Sequence, residues 1–245
     1  MLRAELRKLA TTRTSLGLLV GAMAVTALSA FSTTASADPA SLAEPLHTQQ
    51  VFVLASMNIG LFALILGIRS FTDEFRHGTI GWTLLLVNER WRLVVAKAAM
   101  AAMAAGITAL AAQAVMVALA SGLAEAKGAT LGLSGADAAS VARLTIAAGA
   151  WAVLGVGIGA LVRHQMVAVV GGLVWVLVVE NLASGLLADA GRFLPGQAAH
   201  AVANGTAVND LLPPWMAVLV LLAYVVVLGW FAVLTISRRE VALPA

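Results

Sequence analysis

Six apolar stretches, Ser15 to Phe31, Val51 to Ile68, Leu93 to Ala124, Leu144 to Val162, Met166 to Ala188 and Leu211 to Ile236, are separated by polar connections. An α-helix covers the ~30 Å hydrocarbon layer with ~20 residues at ~1.5 Å each, and in lipid a lone segment satisfies its backbone only as a helix. With 61% apolar and 11% charged residues in 245, the chain holds more apolar surface than a water-soluble fold of this size can hide. The sequence therefore predicts an all-α membrane protein, a single transmembrane domain over 1–245 with six spans at 15–31, 51–68, 93–124, 144–162, 166–188 and 211–236. The third stretch is long enough to tilt or protrude.

Basic residues resist translocation, so their distribution sets orientation. With the first residue inside, the inner connections hold Arg3, Arg7, Lys8, Arg13, Arg69, Arg76, Arg90, Arg92, Lys97, Arg163, Arg238 and Arg239, which leaves Lys127, Arg143 and Arg192 outside. Both termini are thus expected in the cytoplasm, with the chain multi-pass in the cell membrane. The basic start, apolar core and Ala35-Ser36-Ala37 also resemble a cleavable signal peptide. However, the basic stretch is long for one, and Leu2, Leu6 and Leu9 share a helical face apart from Arg3, Arg7 and Lys8, which predicts an interfacial elbow helix over 1–14.

A net charge of +3 would suit nucleic acid, but the basic residues flank apolar blocks and form no aromatic-interleaved patch, so no nucleic-acid partner is expected. Cysteine is absent, and His47, His77, His164 and His200 lack metal-ligand spacing, so no metal site is expected. No phosphate-binding loop occurs, and the glycines at 155, 157 and 159 lie inside an apolar span. Gly132-Leu133-Ser134-Gly135 resembles an intramembrane-protease serine motif but falls in an outer connection, where it reads as a turn. The chain is accordingly expected to be no enzyme, with no catalytic residues and no bound cofactor.

The richest polar segment is the inner connection 69–92. Ser70 or Thr72 could cap a short helix in which Asp73 and Glu74 suit the positive dipole end and Gly78 ends it. Arg90 and Lys97, seven residues apart, would share one helical face at headgroup depth. Within the spans, Asn58, Gln113 and Glu180 are polar, with Asn181 and Ser184 extending a polar face beyond Glu180 and predicting a bent or interrupted fifth span. Counted from Met166, Glu180 lies in the outer half of the core, where a bare carboxylate is unfavourable, so it is either a gate or a hydrogen-bonded anchor. Gly17 and Gly21, like Gly155 and Gly159, are four apart and predict close helix packing.

Glu74, Gly78 and Thr79 followed by Arg90 and Lys97 resemble the second cytoplasmic loop of type-2 ABC transporter permeases. The opening Arg3-Ala4-Glu5-Leu6-Arg7-Lys8-Leu9 and the outer connection with Leu194 and Pro195 are similar to theirs, although Val87-Asn88-Glu89 stands where a proline is often found. The resemblance implies a permease subunit of an ABC exporter, a homo- or heterodimer whose second and fifth spans line a seam. Asp73, Glu74, Phe75, Arg76, His77, Gly78 and Thr79 would form a coupling helix on a separate ATPase subunit that binds ATP and Mg, and Arg90 would brace the loop. The alternatives are a non-transporting assembly or signalling component, and an ion-coupled carrier or channel.

Overall fold

A computed structural model describes residues 13–81, 89–133, 136–204 and 211–238. The elbow expected over 1–14 falls almost wholly outside these, as do residues 82–88 of the inner connection and Ser134 and Gly135.

Helices form throughout: α1 (Arg13–Ser36), α2 (Pro39–Leu42), α3 (Pro45–Arg76), α4 (Arg90–Ala126) and α5 (Ala136–Val162). There follow α6 (Gln165–Val174), a π turn (Trp175–Val179), α7 (Glu180–Leu186), α8 (Ala188–Gly191), α9 (Pro195–Asn204) and α10 (Pro214–Arg238). Among the described residues, six helices are long and apolar enough to cross a membrane: Leu16–Ser36, His47–Arg76, Arg90–Ala126, Asp137–Val162, Gln165–Leu186 and Pro214–Ile236. The chain is thus all-helical among its described residues, and its architecture fits a multi-pass membrane protein. Val20, Leu28, Ile107, Ile146, Val170 and Val226 stay exposed on these helices, as lipid-facing side chains would.

The helices outrun the apolar stretches. The second begins at Pro45 rather than residue 51 and ends at Arg76 rather than 68, because its polar ends still satisfy their backbone within the same helix. Proline at its first turn suits that start, since its missing N–H is one the helix cannot use.

At the centre α3 crosses α5, which also meets α4, α9 and α10. The crossing has no room for side chains: a Cβ on Gly67 would stand 1.9 Å from the Ala152 carbonyl oxygen. Likewise a Cβ on Gly155 would stand 2.3 Å from the Leu64 oxygen and one on Gly159 2.4 Å from the Ile68 oxygen. Backbones that close gain dispersion contacts, the main attraction between helices where solvent tails are as apolar as leucine. Gly21 touches the Phe62 ring, whereas Gly17 has nothing within 4 Å, so its expected packing role is corrected: α1 has parted from α3 at that turn.

The connection containing Pro195 and Gly196 holds α9. Its Ala198, Ala201 and Val202 are buried against α10, α5 and α3. Its small side chains let it nest in the bundle.

Candidate functional site

One end of the bundle gathers Arg69, Arg76, Arg90, Lys97 and Arg163, and is called the basic end below. There the new helix start expected at Ser70 or Thr72 is absent, for α3 runs unbroken from Pro45 to Arg76. Ser70 Oγ donates to Gly67 O and Thr72 Oγ1 to Ile68 O, both bonding back within the helix instead of capping a new one. The separate short helix is therefore replaced by a prolongation of the second long helix. Gly78 does follow its end, in the left-handed region at φ +66°, where glycine avoids a Cβ clash.

Asp73 and Glu74 consequently sit at the negative end of a helix dipole, and each is met by a cation. Arg69 Nη2 lies 2.9 Å from Asp73 Oδ2, one turn away on the same helix. Lys97 Nζ donates to Glu74 Oε1 at 2.8 Å and to Ser70 O at 2.7 Å, and stands 5.2 Å from the centre of the Phe71 ring. Lys97 is 1% exposed and Glu74 4%, so the lysine expected at headgroup depth lies inside the bundle and not on its surface. It points into the bundle, since a carboxylate and a carbonyl there replace its water.

The same end holds the last turn of α10. Arg90 Nη1 donates to Ile236 O, and Arg163 Nη2 donates to Thr235 O at 2.9 Å, filling acceptors a helix C-terminus leaves open. Arg90, expected to brace its own loop, is tied to α10. Arg163 takes a left-handed φ of +59°, ends α5, and stacks its guanidinium 5.3 Å from the Phe75 ring centre. His164 then caps α6, its Nδ1 accepting from Val167 N at 3.4 Å, so a two-residue link joins α5 to α6.

The segment Asp73–Thr79 therefore divides. Glu74 faces inward and Asp73 and Phe75 are half-buried, whereas Arg76, His77, Gly78 and Thr79 form an exposed tip. Arg76 Nη1 donates to Gln165 Oε1 at 3.2 Å, and His77 Nδ1 is 2.6 Å from Asp73 O.

At the opposite end, Glu180 is 2% exposed. Its Oε2 accepts from Gly196 N at 2.7 Å and its Oε1 from Trp175 Nε1 at 3.0 Å. A carboxylate from the fifth span thus caps the first turn of α9, where open N–H groups and the helix dipole favour negative charge. A Cβ on Gly196 would stand 2.1 Å from Oε2, so only glycine admits the carboxylate. The π turn lies just before Glu180, and Asn181 Nδ2 donates to Leu177 O at 2.9 Å within it. Ser184 Oγ donates to Asn181 O at 3.0 Å. A small cavity of about 50 Å³ adjoins this cap, with Trp151, Asn181 and His200 in its wall. Burial holds the His200 imidazole below its ordinary pKa.

The other polar span residues serve contacts between helices. Asn58 Nδ2 donates to Ser29 Oγ at 2.9 Å, joining α3 to α1. Gln113, 2% exposed, donates to Ala109 O at 3.1 Å and reaches Thr145 Oγ1 of α5 at 3.4 Å. Sequence reasoning missed Gly67, Gly196 and Arg163; Gly60 and Gly67, seven apart and so on one face, were the available signal for the first. No group of acidic and histidine side chains that could hold a metal occurs among the described residues.

No family model matches the chain, and no curated protein matches it.

Proposed function

We propose that the chain is the membrane subunit of an ATP-binding-cassette exporter, moving a substrate on ATP hydrolysed by a separate subunit. In this reading both termini and the basic end face the cytoplasm of a cell membrane, residues 1–14 form an interfacial elbow, and two permeases pair. The observation that carries it is the exposed tip Arg76–Thr79, at the end of a helix that crosses the whole bundle. A partner pressing on that tip would push a rigid rod. The buried Glu74–Lys97 pair would pass the load to α4, while Phe75 against Arg163 would pass it towards α10.

The fifth span supports the pairing. Met166, Val170, Val174 and Leu177 leave an apolar strip on it that a second permease would cover. Substrate would leave along that seam, with ATP-driven closure of the partners shifting the pair between inward and outward access.

The test starts from native membranes. A tagged chain should retain an ATP-binding-cassette subunit, and Gly78→Val, strained at φ +66° yet facing open space, should weaken that retention without unfolding the permease. Because the chain has no cysteine, Thr79→Cys supplies a single thiol, which a membrane-impermeant maleimide should reach only after permeabilisation. Labelling of intact cells, or transport driven by an ion gradient with no ATPase present, would defeat the reading.

A further inference from the structure

The carboxylate of Glu180 has donors but no counter-charge. Gly196 N and Trp175 Nε1 each give it a hydrogen bond, whereas a carboxylate can accept about four. Of the fifteen lysines and arginines, Lys127, Arg143 and Arg192 are the three that fall in or beside the connections at this end, and each is engaged elsewhere. Lys127 donates to the Ala35 and Ala37 carbonyls, Arg143 donates to Ser140 Oγ, and Arg192 lies over the Phe193 ring. The undescribed stretches of this end, 134–135 and 205–210, contain neither lysine nor arginine. At 2% exposure an unpaired carboxylate is unfavourable, so the site is short of one positive charge.

The cavity of about 50 Å³ beside it lies between α3, α5, α9 and the fifth span, with Glu180 in its wall. A few water-sized groups fill such a volume, so it takes a small polar head and no ring system. Trp151 supplies aromatic surface, which attracts ammonium groups. His200, held neutral by burial, keeps a ring nitrogen that accepts an N–H. Met57 and Leu177, 41% and 47% exposed, also line the cavity, so an apolar tail would leave it between the second and fifth spans.

We propose that this cavity binds the protonated head of a primary alkyl amine, its N–H groups shared between Glu180 and His200 and its tail laid over Met57 and Leu177. A trimethylated head offers no N–H and outgrows the space. The site rests on the geometry of one chain. That its ligand is the cargo rests on the exporter reading, since Leu177 belongs both to the cavity and to the strip assigned to a second permease.

The full-length chain, purified in non-ionic detergent without any ATPase, is titrated at neutral pH with octylammonium chloride, octyltrimethylammonium chloride or octanol. Binding is read by isothermal titration calorimetry after subtraction of the heat from empty micelles. Octylammonium should bind at least about ten-fold more tightly than either of the others. Glu180→Gln, assayed below its own unfolding temperature, should abolish that preference. Met57→Lys, which supplies a tethered ammonium from the facing wall and leaves the Glu180 cap untouched, should abolish it too, whereas Met57→Leu should keep it. Met57 is exposed, so both of its variants should retain native circular dichroism. Equal binding of the three ligands, or a preference that survives Glu180→Gln or Met57→Lys, would overturn the inference. Failure of the tagged chain to retain an ATPase would instead defeat the exporter reading and leave the amine site standing.

Discussion

Lys97 Nζ sits 2.8 Å from Glu74 Oε1, with both side chains withdrawn from solvent between the second and third long helices. Neither group keeps its own water, so each depends on the other. Removing one partner should be worse than removing both. Lys97→Met or Glu74→Leu alone should destabilise by about 3–5 kcal/mol, because an uncompensated charge stays buried. The double variant should recover most of that loss, as apolar replacements of a buried pair often do. Thermal unfolding of the four proteins in one detergent, taken as a double-mutant cycle, measures the coupling. Additive losses would refute it.

The crossing of α3 and α5 makes a second expectation, resting on backbone clearance. Gly67→Ala sets a methyl group against the Ala152 carbonyl, and neither backbone can yield without parting the helices. A loss of several kcal/mol, or failure to fold, is expected from overpacking of this severity. Gly17→Ala is the contrast, since it meets open space and should stabilise α1 by about 0.5–1 kcal/mol through helix propensity. Melting temperatures that move together in the two variants would contradict the arrangement.

The Glu180 cap gives a third. Glu180→Gln keeps the shape but turns one acceptor into an NH₂ donor, facing either the Gly196 N–H or the Trp175 indole N–H. One buried hydrogen bond is lost, so a destabilisation of about 1–3 kcal/mol is expected. Gly196→Ala should do at least as much damage by expelling the carboxylate. Amide hydrogen exchange localises the effect: both variants should speed exchange across α9 and leave the crossing at Gly67 protected.

The spans were legible because length and hydropathy suffice to define them, and lipid leaves the backbone no other form. Their ends were not. Pro45–Gln50 and Arg69–Arg76 are polar enough to read as connection, yet continue a helix already nucleated, where each further residue adds a bond for little entropy. Glu180 was conspicuous as a buried acid, and an interruption of the fifth span was expected beyond it, whereas the π turn lies before it. The partner of Glu180 was not legible, because Gly196 lies sixteen residues away in the connection beyond that span. Lys97 misled for a general reason: a lysine near a span end snorkels unless tertiary structure brings it an acid, and Glu74 arrives from another helix. Gly17 and Gly155 look alike in sequence, and only the course of the neighbouring helix tells them apart.

A stretch of five residues wound as π carries one residue more than the α-helix needs, and that surplus can be returned. Rewinding Trp175–Val179 would swing everything beyond it by about 100° and slide it about 1.5 Å. Such a rewinding would carry Glu180 away from Gly196, so the bond between them pins the fifth span in the winding it has.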